Sequence, residues 1–133
     1  MIKLTDNDMK IAQDMFDKGT VGVINQGCQS MDNTSVCQYR QNNQANDSIR
    51  CAIGHCIADE DYNINMESKI ASGLKIFESY SSNIRIFMDK LQTCHDTVNQ
   101  AKFVDSFYSK CMRLAFQYDL DMTKMMTAYQ NKF

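Results

Sequence analysis

Apolar residues recur three and four positions apart through most of the second half of the chain, and this constrains the fold more than any other feature. Ile84, Phe87, Met88, Leu91 and Val98 form one such series. Phe103, Phe107, Cys111, Leu114, Ala115 and Tyr118 form the next, and Met122, Met125, Met126 and Tyr129 a short last one. That spacing puts each set on one face of an α-helix, where it must be buried against other helices. The chain also has no proline, which favours helices over a proline-edged sandwich.

Near the start, Thr5-Asp6-Asn7-Asp8 reads as a helix N-terminus, with Thr5 as cap and acids at the positive end of the dipole. Ala12, Met15, Phe16 and Val23 continue an apolar stripe, and Gly27 is a natural stop. Gly19 and Gly22 either break this helix or seat another element against it. A further helix is expected from about Met66 to Tyr80, with Ile70, Leu74 and Phe77 inward. Ser81 to Asn83 cap the helix after it, and Asn99 the one after that.

The middle reads differently. Val36 to Arg40 and Ile49 to Ile53 are β-compatible, and Gln41 to Ser48 between them is polar except for Ala45. The expected fold is therefore α+β, mainly α. Four to five helices pack with one short antiparallel β-hairpin at about residues 36–53, in a single domain over 1–133.

Composition excludes several classes. With 44% apolar and 23% charged residues the chain is globular, not disordered. Ten methionines fit an adaptable core or a surface that grips a partner. A formal net charge of −2 argues against broad nucleic-acid binding. No stretch approaches the about eighteen apolar residues of a membrane span. The opening residues turn polar at once, without a secretory apolar core, so the expected location is the cytoplasm. Six cysteines in a reducing compartment are expected as thiols, not as three disulfides. Self-association into a homo-oligomer stays open.

Several residues could carry chemistry. Cys37, Cys51, His55 and Cys56 are the candidate zinc set, although no Cys-x-x-Cys pair is present. Packed core thiols and no cofactor are the favoured alternative. Cys94 and His95 are sequence neighbours and point about 100° apart on a helix, so they form no dyad. Asp59, Glu60 and Asp61 could hold a cation or simply sit at a solvated helix start. Arg40 and Arg50 could clasp an anion or be structural, with Arg40 pairing to one of those acids, and the structural role is favoured. A binding site, if one exists here, would draw on Tyr39, Arg40, Cys51, His55, Asp59, Glu60, Asp61 and His95; no residue is assigned as catalytic.

Two stretches resemble a known pattern. Cys37-Gln38-Tyr39-Arg40, a polar loop, then Cys51-Ala52-Ile53-Gly54 and Asp59-Glu60-Asp61-Tyr62 are similar to small uncharacterised proteins of tailed phages and their bacterial hosts. Leu91-Gln92-Thr93-Cys94-His95-Asp96 resembles that family's Leu-Gln-x-x-His-Asp. The family's proline before the acids is Ala58 here. The resemblance implies a phage accessory protein in the host cytoplasm, a class in which many members modulate host or defence proteins. With no convincing active site in the sequence, the expected role is non-enzymatic binding of such a protein. Tyr39, Arg40 and the Met122 to Tyr129 segment are its candidate contacts. The alternatives are a nucleotide-like ligand binder or enzyme around the hairpin and His95, and a zinc-stabilised interaction module.

Overall fold

A computed structural model describes residues 2–32, 36–41, 49–98 and 100–132. Four α-helices are present among them: α1 (Asp6–Gln26), α2 (Ser82–Asp96), α3 (Phe103–Tyr118) and α4 (Thr123–Lys132). No helix is long and apolar enough to cross a membrane among the described residues.

The helix ends follow local chemistry. The Thr5 hydroxyl accepts from the Asp8 N–H at 3.1 Å, and Gly27 closes α1 at φ 77°, where a Cβ would be strained. The Ser81 hydroxyl accepts from the Ile84 N–H and donates to Asp8, so it caps α2 while tying it to α1. Asp119 ends α3 in the left-handed region, which its short polar side chain tolerates. Every residue of the expected Phe103 to Tyr118 stripe is buried. The cap expected at Asn99 lies outside the described residues.

α1 is the central element and packs on α2, α3, α4 and a tight turn at Ile53–Cys56. Gly19 and Gly22 do not break it. They seat that turn: a Cβ on Gly19 would lie 3.0 Å from the Ala52 carbonyl oxygen, and one on Gly22 would enter the His55 ring. Phe16, Ile24, Phe87, Leu91, Phe107 and Met125 fill the core between the helices.

The expected hairpin at 36–53 does not form. Among the described residues no strand is present, and the two segments meet at one isolated bridge, Arg40 with Arg50, while Cys37 bridges to Met31. The fold is helical, not α+β. The pairing stops after the two hydrogen bonds that flank the Arg40–Arg50 bridge, Gln41 N–H to Ile49 C=O and Cys51 N–H to Tyr39 C=O. Side chains from elsewhere take the next ladder donor, the Tyr39 N–H, and the outward-facing groups of Arg40 and Arg50. The Glu67 carboxylate accepts the Tyr39 and Arg40 N–H groups at 2.9 and 3.1 Å. The Gln26 amide takes both the N–H and the C=O of Arg50. Ile53 then turns into a 3-10 helix instead of extending. The polar loop expected between the segments lies, from 42 to 48, outside the described residues.

The helix expected from Met66 to Tyr80 is also replaced. Short 3-10 turns at Ile64–Met66, Ala71–Gly73 and Lys75–Phe77 are joined by extended residues. Ser68 at φ 68° breaks any helix through it. The Ser72 N–H leaves for the Asp89 carboxylate. Leu74 and Phe77 are buried as expected, but Ile70 is 70% exposed. Consecutive 3-10 turns return to the same face every three to four residues, which imitates the helical period.

Candidate functional site

The residues marked out by sequence fall into three separate arrangements. The first centres on Arg40, which is completely buried. Its guanidinium donates to Asp59 Oδ1 at 2.7 Å and to the Ile57 carbonyl at 2.6 Å, and it lies 5.0 Å over the Tyr62 ring. Arg50 reaches the same Asp59 oxygen at 3.1 Å. Tyr62 in turn donates to Glu67, the carboxylate that holds the backbone of Tyr39 and Arg40. Arg40 thus pairs with one of the acids expected for it, and Arg50, with no such pairing expected, converges on the same oxygen. This is a planar, multidentate clasp of the kind arginine makes and lysine cannot. Glu60 and Asp61 point to solvent.

The second arrangement surrounds His55. Its Nε2 lies 2.8 Å from Gln26 Oε1, which also accepts from the Arg50 N–H. An oxygen can only accept, so His55 donates there. Burial and the charges of Arg50 and Arg40 bring its pKa down to about 4, which keeps the ring neutral.

The third is built on His95, also completely buried, with Phe103 edge-on at 5.5 Å. Its Nε2 accepts from the Ser30 N–H at 3.0 Å and its Nδ1 lies 2.7 Å from Asp96 Oδ1. A backbone N–H is an obligate donor, so Nε2 must present its lone pair and the ring proton sits on Nδ1. Gln92 completes this set: its amide donates to Asp96 and accepts from the Ile53 N–H. The Leu91 to Asp96 stretch therefore ties α2 to residues 29–30 and to the 53–56 turn.

Metal binding can be tested on these contacts. Among the described residues, the one group of three ligating atoms within 4.8 Å of one another is Cys37, His95 and Asp96. Binding through His95 Nδ1 would require the proton to move to Nε2, into the Ser30 N–H. Metal-bound histidines instead direct their second nitrogen at an acceptor. The Cys37 thiol is also pushed up to about 12 by burial and by Asp96 and Asp32, away from the thiolate a metal needs. The donor set does not fit a metal. The expected zinc set of Cys37, Cys51, His55 and Cys56 is not brought together: the Cys51 sulfur accepts from the Gly54 N–H, and the Cys56 thiol faces the Met15 and Ala52 carbonyls.

Tyr39, Cys37, Gln38 and Asp96 border a hollow of about 460 Å³ beside Ile70. The Tyr39 hydroxyl donates to the Lys69 carbonyl, and burial raises its pKa well above the ordinary 10.0. Neither Cys37 nor Tyr39 is therefore poised as a nucleophile or acid near neutral pH.

A different surface has binding geometry. α2 contributes Ile86, Asp89, Lys90, Thr93 and Cys94, its C-cap adds Thr97, and α3 contributes Lys110, Arg113, Leu114 and Gln117, to a groove of about 500 Å³. Both sets follow helical spacing, so two facing stripes line one trough. Thr93, Cys94 and Thr97 are short, which keeps the trough open between the longer walls. Leu114 and Cys94 form its floor, Ile86 is 51% exposed at one wall, and Phe116 on the outer face of α3 is 78% exposed. Met112 is a turn away from Phe116 and is also exposed.

The charges here are asymmetric. Lys90 lies 5.2 Å over the Tyr118 ring, and Lys110 donates to Thr97 Oγ1. Among the described residues, Lys90, Lys110 and Arg113 have no carboxylate within salt-bridge reach. The Asp89 carboxylate is engaged by the Ser72 N–H. Sequence reasoning passed over this groove because it weighed the inward stripes of α2 and α3. Its signal was the cations at 90, 110 and 113 on the opposite edge of those stripes. Compared with protein-family models, curated proteins and solved structures, the chain matches none.

Proposed function

We propose that this chain is a non-enzymatic binding protein that grips an acidic segment of a partner protein in the α2–α3 groove. The observation carrying the reading is the coincidence of an apolar floor with three cations that lack carboxylate partners among the described residues, on a chain whose overall charge is negative. Ile86 on the groove wall and Leu114 on its floor supply the aliphatic anchors of the kind that dominate binding energy. The cations would steer and orient an acidic partner. A phosphate backbone would use the charges but leave this apolar surface idle, so a peptide is the better fit. The phage-like pattern around Tyr39 and His95 points to a host or defence protein as the partner.

Panning a random peptide display library against the protein tests this. Enriched peptides should carry several Asp or Glu residues with apolar residues at helical spacing. Reversing two rim charges, K110E with R113E, should weaken them by about tenfold or more, roughly 1.4 kcal/mol, while the melting curve stays in place. Basic or uncharged winners, winners indifferent to the double reversal, or tighter groove-dependent binding of a fluorescent oligonucleotide would overturn the proposal.

A further inference from the structure

The groove does not end at Lys110 and Arg113. The same two cations line a second hollow of about 340 Å³, together with Lys102, Asp105, Ser106 and Ser109. These positions recur at helical spacing, so one face of α3 and its N-cap residue Lys102 supply the lining. Where the groove has an apolar floor, every residue lining this hollow is polar. We propose that the hollow is a subsite for a phosphorylated side chain, so that the segment gripped in the groove is a phosphopeptide, an inference that rests on the binding reading above.

Charge favours this occupant. Three cations and one carboxylate leave two net positive charges in the hollow, and a phosphomonoester carries about −1.5 to −2 at pH 7. None of the three cations lies within ion-pair reach of a carboxylate among the described residues. The Asp105 carboxylate accepts instead from the Tyr129 hydroxyl of α4. Lys110 gives one hydrogen bond to Thr97 Oγ1 and keeps two further N–H groups to offer.

The donors fit as well. The Ser106 and Ser109 hydroxyls have no hydrogen-bond partner among the described residues, so both are available to donate. A phosphate presents three strong acceptor oxygens, enough for two hydroxyls, an arginine fork and two ammonium groups to share. A side-chain carboxylate brings one charge and two oxygens and would leave part of this set unused. A nucleic-acid strand carries one charge at each phosphodiester and calls for a run of cations along its path, not one compact cluster beside an apolar trough.

The test uses the intact protein and degenerate peptides built around a fixed central phosphoserine, serine or aspartate, with acidic and apolar residues randomised on both sides. The phosphoserine set should bind at least about tenfold more tightly than the aspartate set. K102Q combined with S106A and S109A should abolish that preference with the melting curve unchanged. The same variant should hold the serine and aspartate sets within about twofold of native, because none of its three positions lines the groove. Equal binding of the three sets would sink the phosphate subsite and leave the groove reading standing, whereas binding of no set would sink both. A phosphoserine preference that survives the triple substitution would count against this hollow as its source. Tighter Lys102-dependent binding of an oligonucleotide, or of phosphatidylcholine vesicles carrying a phosphatidylinositol phosphate, would replace the phosphopeptide with another occupant.

Discussion

Ala58 holds φ −65° and ψ 150°, the angles a proline ring would impose. Ile57 before it is extended at φ −100° and ψ 120°, as a residue preceding proline must be. The Ala58 N–H donates to no group among the described residues, and the residue is exposed. Alanine thus takes the conformation a proline would impose here. A58P should stabilise the fold by about 0.4–1 kcal/mol, chiefly by restricting the unfolded chain. Urea unfolding checks this, and a loss of stability would mean the backbone there is not as described. Arg40 illustrates what a single position can conceal. Its pairing to Asp59 was legible from the nearby acids, but its complete burial under Tyr62 was not, because nothing local marks an arginine for the interior.

At the scale of elements, α1 and the 53–56 turn meet through the bare backbone of Gly22 against the His55 ring. In an open helix, Gly to Ala gains up to about 1 kcal/mol. Here G22A should cost about 1–3 kcal/mol, because the new methyl has no room. In an H55A background the same change should become neutral or stabilising, a coupling of at least about 1 kcal/mol in a double-mutant cycle. Equal effects in both backgrounds would show that the ring is not what Gly22 accommodates. The helices themselves were legible because their caps and stripes are local: Thr5, Gly27 and Ser81 each satisfy or release neighbouring backbone groups. The middle of the chain was not legible for the converse reason. Its backbone partners are the side chains of Gln26 and Glu67, which no window of neighbouring residues contains. The 64–80 run misled through period alone, since its 3-10 turns mimic a helix while Ser68 forbids one.

For the molecule as a whole, burial of titratable groups shapes stability against pH. His55 titrates near its ordinary 6.5 when unfolded and at about 4 when folded. Between those values the unfolded chain binds the extra proton, so stability rises with pH across about 4 to 6.5. The full effect amounts to roughly 2 kcal/mol, allowing for partial exposure of the ring. Cys37 and Cys56 act at the other end. Each is raised from 9.0 to about 12, so the folded chain retains protons that the unfolded chain releases, and stability falls as pH climbs through that window. Chemical denaturation at a series of pH values should give a plateau from about 6.5 to 9 with a decline on each side. H55Q should flatten the acid limb; an unchanged limb would assign it to other groups. The candidate groove also belongs to this scale, since no single helix reveals it. Its walls appear only when the polar edges of α2 and α3 are set side by side.

The Glu67 clasp has a consequence in time. The amides it holds precede it by 28 and 27 residues. During synthesis, Tyr39 and Arg40 leave the ribosome before their acceptor has emerged, while α1 is already out with its own caps. The middle segment must wait, unanchored, until the 59–80 run emerges and docks. The conformation of Tyr39 and Arg40 is thus set late, by a carboxylate supplied from downstream.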